Sequence, residues 1–490
     1  MPAGGDTFFL NDIRRLHMEV QNQQKNNDSG RDERLGTAPL GRLMAGMAVP
    51  AVAAQLINVL YNIVDRIYIG HISGYGDVAL TGVGVTFPII MLIAAFSAFA
   101  GMGGAPLASI QLGKKDHDKA ERILGNSAGL LIIFSVVLTV FFSIFKTPIL
   151  YAFGASGQTI SYAESYIAIY LIGTVFVQIA VGLNTFISGQ GEARIAMLSV
   201  LIGAVINIAL DPVFIFALHM GVKGAALATI ISQAVSAAWV LRFLLSEKSV
   251  IRLRVKYMKL QGDIVKHIAG LGVSPFIMQS TESLVSITLN SGLQRYGGDL
   301  YVGTMSIMTS VMQLIVIPVQ GITQGIQPII SYNYGAGNRK RVKGAFIRML
   351  LVCFAGTLLL AGIAVTVPEV YASLFTNNDK LVALTCRVMP IYFFGIMIFG
   401  IQSACQSTFL ALGQAKVSLF IALLRKVILL IPLAVILPKF MGVMGIYRAE
   451  PVADIISVLT TSVLFAFTFK NVLLNMRKSG MMSAGKEKED

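Results

Sequence analysis

Residues 191–194 read Gly-Glu-Ala-Arg and residues 413–416 read Gly-Gln-Ala-Lys, and this repeat decides the fold. Three further motifs recur in the same order at an offset of about 220 residues. The pairs are Gly113-Lys114-Lys115-Asp116 with Gly335-Ala336-Gly337-Asn338, Pro148-xx-Tyr151-Ala152 with Pro368-xx-Tyr371-Ala372, and Gly221-Val222-Lys223-Gly224 with Gly442-Val443-Met444-Gly445. Both copies lie in mostly apolar sequence, which indicates a duplicated membrane domain. Two such halves around a central pathway are typical of secondary transporters.

Apolar runs long enough to cross a bilayer recur along the whole chain. Of its 490 residues, 55% are hydrophobic and only 13% are charged, against about a quarter charged in soluble domains. A span needs roughly 20 apolar residues, and we predict twelve spans. They centre near residues 58, 90, 133, 175, 207, 234, 278, 312, 354, 398, 427 and 458. The predicted fold class is all-α integral membrane, with two six-helix lobes related by a pseudo-twofold axis.

Basic residues are concentrated in alternate loops. They include Lys114, Lys115 and Lys119 after the second span, the run from Arg242 to Lys266, and Arg339, Lys340, Arg341 and Lys343 after the eighth. The intervening loops carry at most one Lys or Arg each. The positive-inside rule then predicts a multi-pass cell-membrane protein with both termini in the cytoplasm. The net charge of +14 faces anionic lipid in the bilayer and is not a nucleic-acid surface.

The span positions predict the domain organisation. Residues 1–40 form a polar cytoplasmic tail without a signal peptide, and residues 475–490 form a second cytoplasmic tail. Residues 41–246 are the N-lobe with spans one to six, and residues 264–474 are the C-lobe with spans seven to twelve. A basic cytoplasmic linker, residues 247–263, joins the lobes. We expect both tails to be disordered, because they are too polar to bury a core.

Two carboxylates of the first half fall inside predicted spans, where a charge costs at least about 2.5 kcal/mol. Asp65 lies about 18 residues into span one, and Asp211 lies about 16 residues into span five, depths of roughly 27 and 24 Å. Asn207 precedes Asp211 by one turn, and Thr229 lies near the outer end of span six. These groups predict an oxygen-rich cluster in the outer half of the membrane. Such a cluster can share a proton between Asp65 and Asp211 or bind Na⁺ there.

Each member of this cluster also has a structural interpretation. Asp65 precedes Arg66 and can form an ion pair near the interface. Asn207 can join two helices by a hydrogen bond, and Thr229 is of a type common at helix contacts in membranes. The arrival of Asp211 at the same depth as Asp65 favours the functional interpretation.

The second half carries its charges elsewhere. Glu282 lies deep in span seven, and Glu450 and Asp454 lie one turn apart at the start of span twelve. These acids either line a substrate pathway or pair with Arg425 or Arg448. Span eight carries a stripe of glutamines on one face, which either lines a cavity or packs against the other half. The stripe comprises Gln320, Gln324 and Gln327.

The sequence contains no motif that is typical of an enzyme active site. There is no Gly-rich phosphate loop, and the five histidines are scattered. Cys353, Cys386 and Cys405 lie in apolar surroundings without metal-ligand spacing, which is typical of small core residues. We therefore predict that the protein is not an enzyme and that it needs neither a cofactor nor a structural metal.

The first span resembles a known family. Its pattern Pro50-x₄-Gln55-x₅-Tyr61-x₃-Asp65-x₄-Gly70 resembles the first-span signature of multidrug and toxic compound extrusion (MATE) transporters. The repeated loops at 191–194 and 413–416 resemble paired loops of that family. The resemblance covers about residues 38 to 475 and is closest to the MepA-like bacterial branch. It implies that Asn184 and Tyr166 of span four join the cation-coupling site, and it matches Glu282 to an acid used in several branches.

The sequence and the resemblance together predict a multidrug efflux antiporter. It would export organic, often cationic, compounds in exchange for H⁺ or Na⁺ by alternating access, and a single chain would supply both lobes and work as a monomer. A lipid-linked precursor flippase is the first alternative, which Arg425 and Arg448 keep open because an anionic headgroup needs cationic partners. A channel is less compatible with duplicated lobes that carry different acids.

Overall fold

The computed structural model describes residues 34–375 and 378–486, and nearly all of this part of the chain is helical, with no strand in it. The predicted tail residues 1–33 and 487–490 lie outside the described residues. We number the helices in chain order. They are α1 (Leu40–Gly70), α2 (Gly76–Gly113), α3 (His117–Ala152), α4 (Ile160–Ile172), α5 (Thr174–Gly189), α6 (Ala193–Ala217), α7 (Val222–Leu245), α8 (Gly262–Gly297), α9 (Asp299–Gly335), α10 (Arg339–Thr366), α11 (Pro368–Phe375), α12 (Asp379–Phe393), α13 (Ile396–Ala411), α14 (Ala415–Met441) and α15 (Val443–Lys486).

The spans follow from the length and apolarity of these helices. Among the described residues, nine helices are each long and apolar enough to cross a membrane. Two bent pairs add one span each: α4 with α5, bent by 60°, and α12 with α13, bent by 44°. Helix α8 is also long enough, at 36 residues, but its polar middle makes it less apolar than the others. It occupies the position of the predicted seventh span.

Local breaks in the helices have identifiable chemical causes. The bend between α4 and α5 falls at Gly173, whose missing side chain leaves room for Ile230 of α7. In α6 the α-helical part ends at Pro212, and a π-helical turn, Val213–Ala217, follows. Proline lacks the N–H that would continue the regular ladder, so the helix changes type directly after Asp211.

We call helices α1–α7 the N-lobe and α8–α15 the C-lobe, and the membrane face with the lysine- and arginine-rich loops the basic side. The opposite face is the distal side. The lobes meet mainly through α2 with α8, α1 with α9, and α2 with α9. Glycines allow backbones to approach closely there. A Cβ atom at Gly113 would overlap the Tyr332 carbonyl oxygen, and one at Gly335 would overlap the Ile110 carbonyl oxygen. Both close approaches lie at the basic side.

The distal halves of the same helices expose polar groups. Asn62 and Arg66 of α1 are exposed, as are Ser286 of α8 and Ser306 of α9. Exposed polar side chains at membrane depth face water or protein, not lipid. Because the lobes approach each other at the basic side, we infer a cleft between them that opens toward the distal side.

The chain between α7 and α8 follows the surface of the N-lobe. The Gln190 side-chain oxygen accepts hydrogen bonds from Ser249 Oγ at 3.0 Å, from Val250 N at 2.8 Å and from Ile251 N at 3.3 Å. Further along, the Arg254 guanidinium forms an ion pair with Glu121 of α3 at 2.6 Å. The connection is therefore attached to the N-lobe along its length.

Packed or helical structure extends past two of the predicted tail boundaries. Leu35 is buried, packs against Gly191 of the N-lobe, and accepts hydrogen bonds at its carbonyl from Asn333 and Arg341 of the C-lobe. An apolar side chain inside the predicted polar segment therefore contacts both lobes. At the other end, α15 continues through residue 475 to Lys486.

Candidate functional site

The N-lobe brings the predicted acidic residues together in its interior. Asp65 on α1 is buried, and Asp211 on α6 is completely buried. Asn207, one turn before Asp211, donates from Nδ2 to Asp211 Oδ1 at 3.3 Å. Asp65 and Asp211 lie close enough for their charges to interact. The cluster therefore brings two carboxylates of different helices within electrostatic range of each other.

Tyrosine and threonine hydroxyls complete this cluster. Tyr166 of α4 is buried and lies near both Asp65 and Thr229. The Thr229 hydroxyl also donates to the Ala225 carbonyl of its own helix at 3.0 Å. The Tyr166 ring stacks on Tyr170 at 6.2 Å between centroids. Part of the wall of the cluster is thus aromatic.

Three oxygen atoms of the cluster are buried without a hydrogen-bond partner among the described residues. They are Asp65 Oδ1, Asn207 Oδ1 and Asp211 Oδ2. Buried acceptors of this kind are costly unless a proton or a cation binds them. Carboxylate, amide and hydroxyl oxygens suit a proton or a hard monovalent ion. In the described part of the chain no group of three His, Cys, Asp or Glu residues has the geometry of a metal site.

The alternative ion pair between Asp65 and its neighbour is not what the structure shows. Arg66 is exposed, and its guanidinium lies over the Phe87 ring, 5.2 Å from the centroid. Asp65 Oδ1 therefore has no partner from this arginine. The Asp65 side chain is thus buried inside the N-lobe, whereas the Arg66 side chain lies at its surface.

One residue predicted for this site lies elsewhere. Asn184 of α5 donates from Nδ2 to the Ala196 carbonyl at 3.1 Å, near the basic-side start of α6. Asp211 is fifteen residues further along the same helix, a rise of roughly 22 Å. The structure therefore does not bring Asn184 to the Asp65–Asp211 cluster. Asn184 also lies 18 residues beyond Tyr166 along the fourth span (184 − 166), a rise of roughly 27 Å in a straight helix, so the two residues lie at different depths.

The C-lobe holds a second group of charges, which we call the C-lobe ion cluster. Arg425 of α14 donates from Nε to Asp454 at 2.7 Å and from Nη2 to Glu450 at 3.0 Å. Both acids are buried on α15, and the guanidinium lies over the Phe399 ring at 4.6 Å. Of the predicted alternatives for Glu450 and Asp454, the structure therefore has the pairing with Arg425. Arg448 is exposed near Met441 instead.

Glu282 completes this cluster from the cleft side. It forms an ion pair with Lys426, whose ammonium also donates to the Met278 carbonyl at 2.9 Å. Arg425 and Lys426 are consecutive residues in a π-helical segment of α14, Leu424–Leu430. Sequence reasoning did not assign Lys426, although a lysine within an apolar span was the signal that could have found it.

The glutamine stripe of α9 divides between the two predicted roles. Gln324 accepts a hydrogen bond from Gln55 of α1 at 2.8 Å, so it joins the two lobes. Gln320, one turn nearer the distal side, is exposed. The stripe thus lines the cleft at one end and contributes to the lobe interface at the other.

This fold defines a class of protein: an all-helical, multi-pass membrane transporter with the MATE fold. The chain belongs to the MatE family, whose model matches residues 50–213 and 275–436. The predicted family is thereby confirmed. The family is one of transporters and not an enzyme class.

Relatives and solved structures agree with this assignment. The multidrug export protein MepA of Staphylococcus haemolyticus (strain JCSC1435) is 25% identical over 417 residues, covering 84% of this chain and 90% of that protein. MepA of Staphylococcus aureus (strain MRSA252) is 24% identical over 423 residues, covering 85% and 91%. A crystal structure of MATE in the bent conformation has a TM-score of 0.85 at 21% identity, covering 91% of this chain and 99% of that one. An outward-facing multidrug resistance MATE transporter of the MOP superfamily has a TM-score of 0.82 at 21% identity, covering 90% and 98%. The structural likeness shows the fold.

Proposed function

We propose that this protein is a multidrug efflux antiporter that exports organic, often cationic, compounds in exchange for H⁺ or Na⁺. The observation that carries the proposal is the pair of buried carboxylates, Asp65 and Asp211, with unpartnered oxygens in the N-lobe. The relatives named multidrug export proteins, which match over most of the chain, support the substrate class.

The coupling ion binds at the N-lobe cluster in this proposal. A proton or Na⁺ neutralises part of the Asp65 and Asp211 charge and satisfies their oxygens, and Asn207, Tyr166 and Thr229 complete the shell. Binding favours one arrangement of the lobes only if the ion binds the two arrangements with different affinity. Asp65 lies on α1, and α1 also packs against α9 of the C-lobe. A change in the arrangement of the lobes can therefore change the affinity of the site for the ion.

The drug binds in the cleft between the lobes. The basic side is the cytoplasmic side, with both termini there, and the distal cleft is the exit to the outside. Contact between the lobes at the basic side, together with a cleft at the distal side, corresponds to the outward-facing state of an alternating-access cycle. Glu282 and Gln320 line this cleft and would meet a cationic substrate. One chain supplies both lobes, and we propose that it works as a monomer.

The lipid-linked precursor flippase is less compatible with the charges. An anionic headgroup needs free cationic side chains in the cleft. Arg425 is held by two carboxylates, and Lys426 is held by Glu282. Arg66 and Arg448 are exposed bases left for such a headgroup. They would compete with the exposed acid Glu282 and the buried acids Asp65 and Asp211.

Export from energised everted vesicles tests this proposal. A fluorescent organic cation is followed under an imposed pH gradient and, separately, under a Na⁺ gradient. We expect one gradient to drive transport in the wild type and both Asp65→Asn and Asp211→Asn to abolish it. Asp77→Asn is the matched control, because Asp77 is an exposed acid in the first turn of α2.

Two results would overturn the proposal. Normal gradient-driven export by well-expressed Asp211→Asn protein would remove the coupling role of the cluster. Failure of the wild type to export under either gradient, with the protein present in the membrane, would remove multidrug efflux and direct attention to lipid-linked substrates.

A further inference from the structure

The Glu282–Lys426 pair differs from the rest of the C-lobe ion cluster in its exposure. The Glu282 side chain is 55% exposed, whereas Lys426 is 11% exposed. Glu282 shares a face of α8 with the exposed Ser286 one turn further along, which lies at the inferred cleft, whereas Lys426 on α14 is largely buried. A cation arriving through the cleft can reach Glu282 without first removing Lys426.

The two cationic residues of the cluster are held very differently. Arg425 is fixed by two carboxylates at 2.7 and 3.0 Å and by the Phe399 ring. Lys426 has one carboxylate partner and one carbonyl partner, the Met278 oxygen. Lysine carries its charge on a flexible four-carbon chain and forms no bidentate contact. Lys426 is therefore the cation of this cluster that can move, and it can retain the Met278 carbonyl when it leaves the acid.

The cluster as a whole has one negative charge in excess. Its acids are Glu282, Glu450 and Asp454, and its bases are Arg425 and Lys426. Three acids against two bases leave room for one monovalent cation. A π-helical segment, of a kind often found at functional sites, presents both bases from consecutive positions of α14.

We propose that Lys426 is an internal competing cation that sets the charge selectivity of the cleft. Without substrate, the Lys426 ammonium forms an ion pair with the Glu282 carboxylate. A monovalent organic cation displaces it from the acid and neutralises the cluster. A divalent organic cation brings one charge too many, because the displaced ammonium remains nearby. Lys426 thereby favours monovalent over divalent substrates, an inference that rests on the proposed export of organic cations.

Binding of two related dyes to the purified full-length protein tests this inference. Ethidium and propidium share one phenanthridinium ring system, but ethidium carries a single positive charge and propidium carries two. Their dissociation constants are measured by fluorescence anisotropy in detergent for the wild type, Lys426→Met, Lys426→Arg and Glu282→Gln. Monodisperse elution in size-exclusion chromatography confirms that each variant is folded.

We expect Lys426→Met to bind ethidium about threefold tighter and propidium about tenfold tighter than the wild type. Removing the lysine charge should relieve about 0.7 kcal/mol of repulsion for each positive charge of the dye, which is about threefold for one charge and about tenfold for two. Lys426→Arg should keep the wild-type preference, because it keeps the charge. Glu282→Gln should weaken both dyes. A purely structural role for Lys426 would alter stability without changing the ratio of the two affinities.

The outcomes separate this inference from the proposed function. Wild-type binding of ethidium with an unchanged dye ratio in Lys426→Met would overturn the role of Lys426 and leave efflux intact. Unchanged affinities in Glu282→Gln would also overturn it, since the acid would not meet the substrate. Absence of binding by both the wild type and Lys426→Met would overturn the inference together with the proposed export of organic cations.

Discussion

Removal of the Arg425 guanidinium is the perturbation with the largest expected effect on stability. In Arg425→Met the side chain keeps an apolar body of similar length but loses both charge-assisted hydrogen bonds. Glu450 and Asp454, with side chains 5% and 0% exposed, are left as like charges one turn apart. Breaking a buried ion pair by removing one partner costs about 3–5 kcal/mol. We expect a loss of that size, because neither acid has another cation within an ion-pair distance among the described residues.

Neutralising both acids as well should restore most of the lost stability. In the triple variant Arg425→Met, Glu450→Gln and Asp454→Asn, no charge remains buried at this point. Replacing all members of a buried ionic group by uncharged residues is often close to neutral for stability. The triple variant should therefore be more stable than Arg425→Met alone, which is the opposite of what simple addition of three destabilising changes predicts.

Thermal stability in detergent is the measurement. Samples are heated, cleared of aggregate, and the remaining monodisperse protein is measured by fluorescence-detected size-exclusion chromatography. Arg448→Met is the matched control, because Arg448 is an exposed arginine at the start of α15, the helix that carries Glu450 and Asp454. Equal midpoints for Arg425→Met and Arg448→Met would refute the reasoning. A triple variant less stable than Arg425→Met would refute the charge account specifically.

Two further predictions concern the basic side. Gly113→Ala should separate the lobes there, because the new Cβ would overlap the Tyr332 carbonyl oxygen. Overpacking of this kind costs about 1–3 kcal/mol. The expected result is a longer distance between spin labels placed on the two lobes. Gly356→Ala is its control, since nothing lies within 4 Å of a Cβ there, and an unchanged distance in Gly113→Ala would contradict the close-contact argument. Gln190→Leu should release the connection between the lobes from the N-lobe, because one amide oxygen accepts three hydrogen bonds, each contributing about 0.5–1.5 kcal/mol. Trypsin should then cleave after Arg252 faster than in the wild type by at least about tenfold, and an equal cleavage rate would show that other contacts hold this segment.

The sequence by itself determined the membrane class, the duplication and the family. Spans are recognisable because a bilayer imposes a length and an apolarity on each helix, and repeats are recognisable because they depend only on order and offset. The sequence also predicted similar membrane depths for Asp65, Asn207 and Asp211, because the rise per residue of a helix converts residue number into distance.

Only the tertiary structure decided which charged groups are partners. The sequence offered Arg425 and Arg448 as ion-pair partners for Glu450 and Asp454. In the structure Arg425 of α14 forms both ion pairs. Asn184 was assigned to the site only by the family resemblance, and its hydrogen bond to Ala196 places it far from Asp211. Pairing depends on the rotation of each helix about its axis and on its bends. These are set by packing between elements distant in sequence, and no local pattern encodes them.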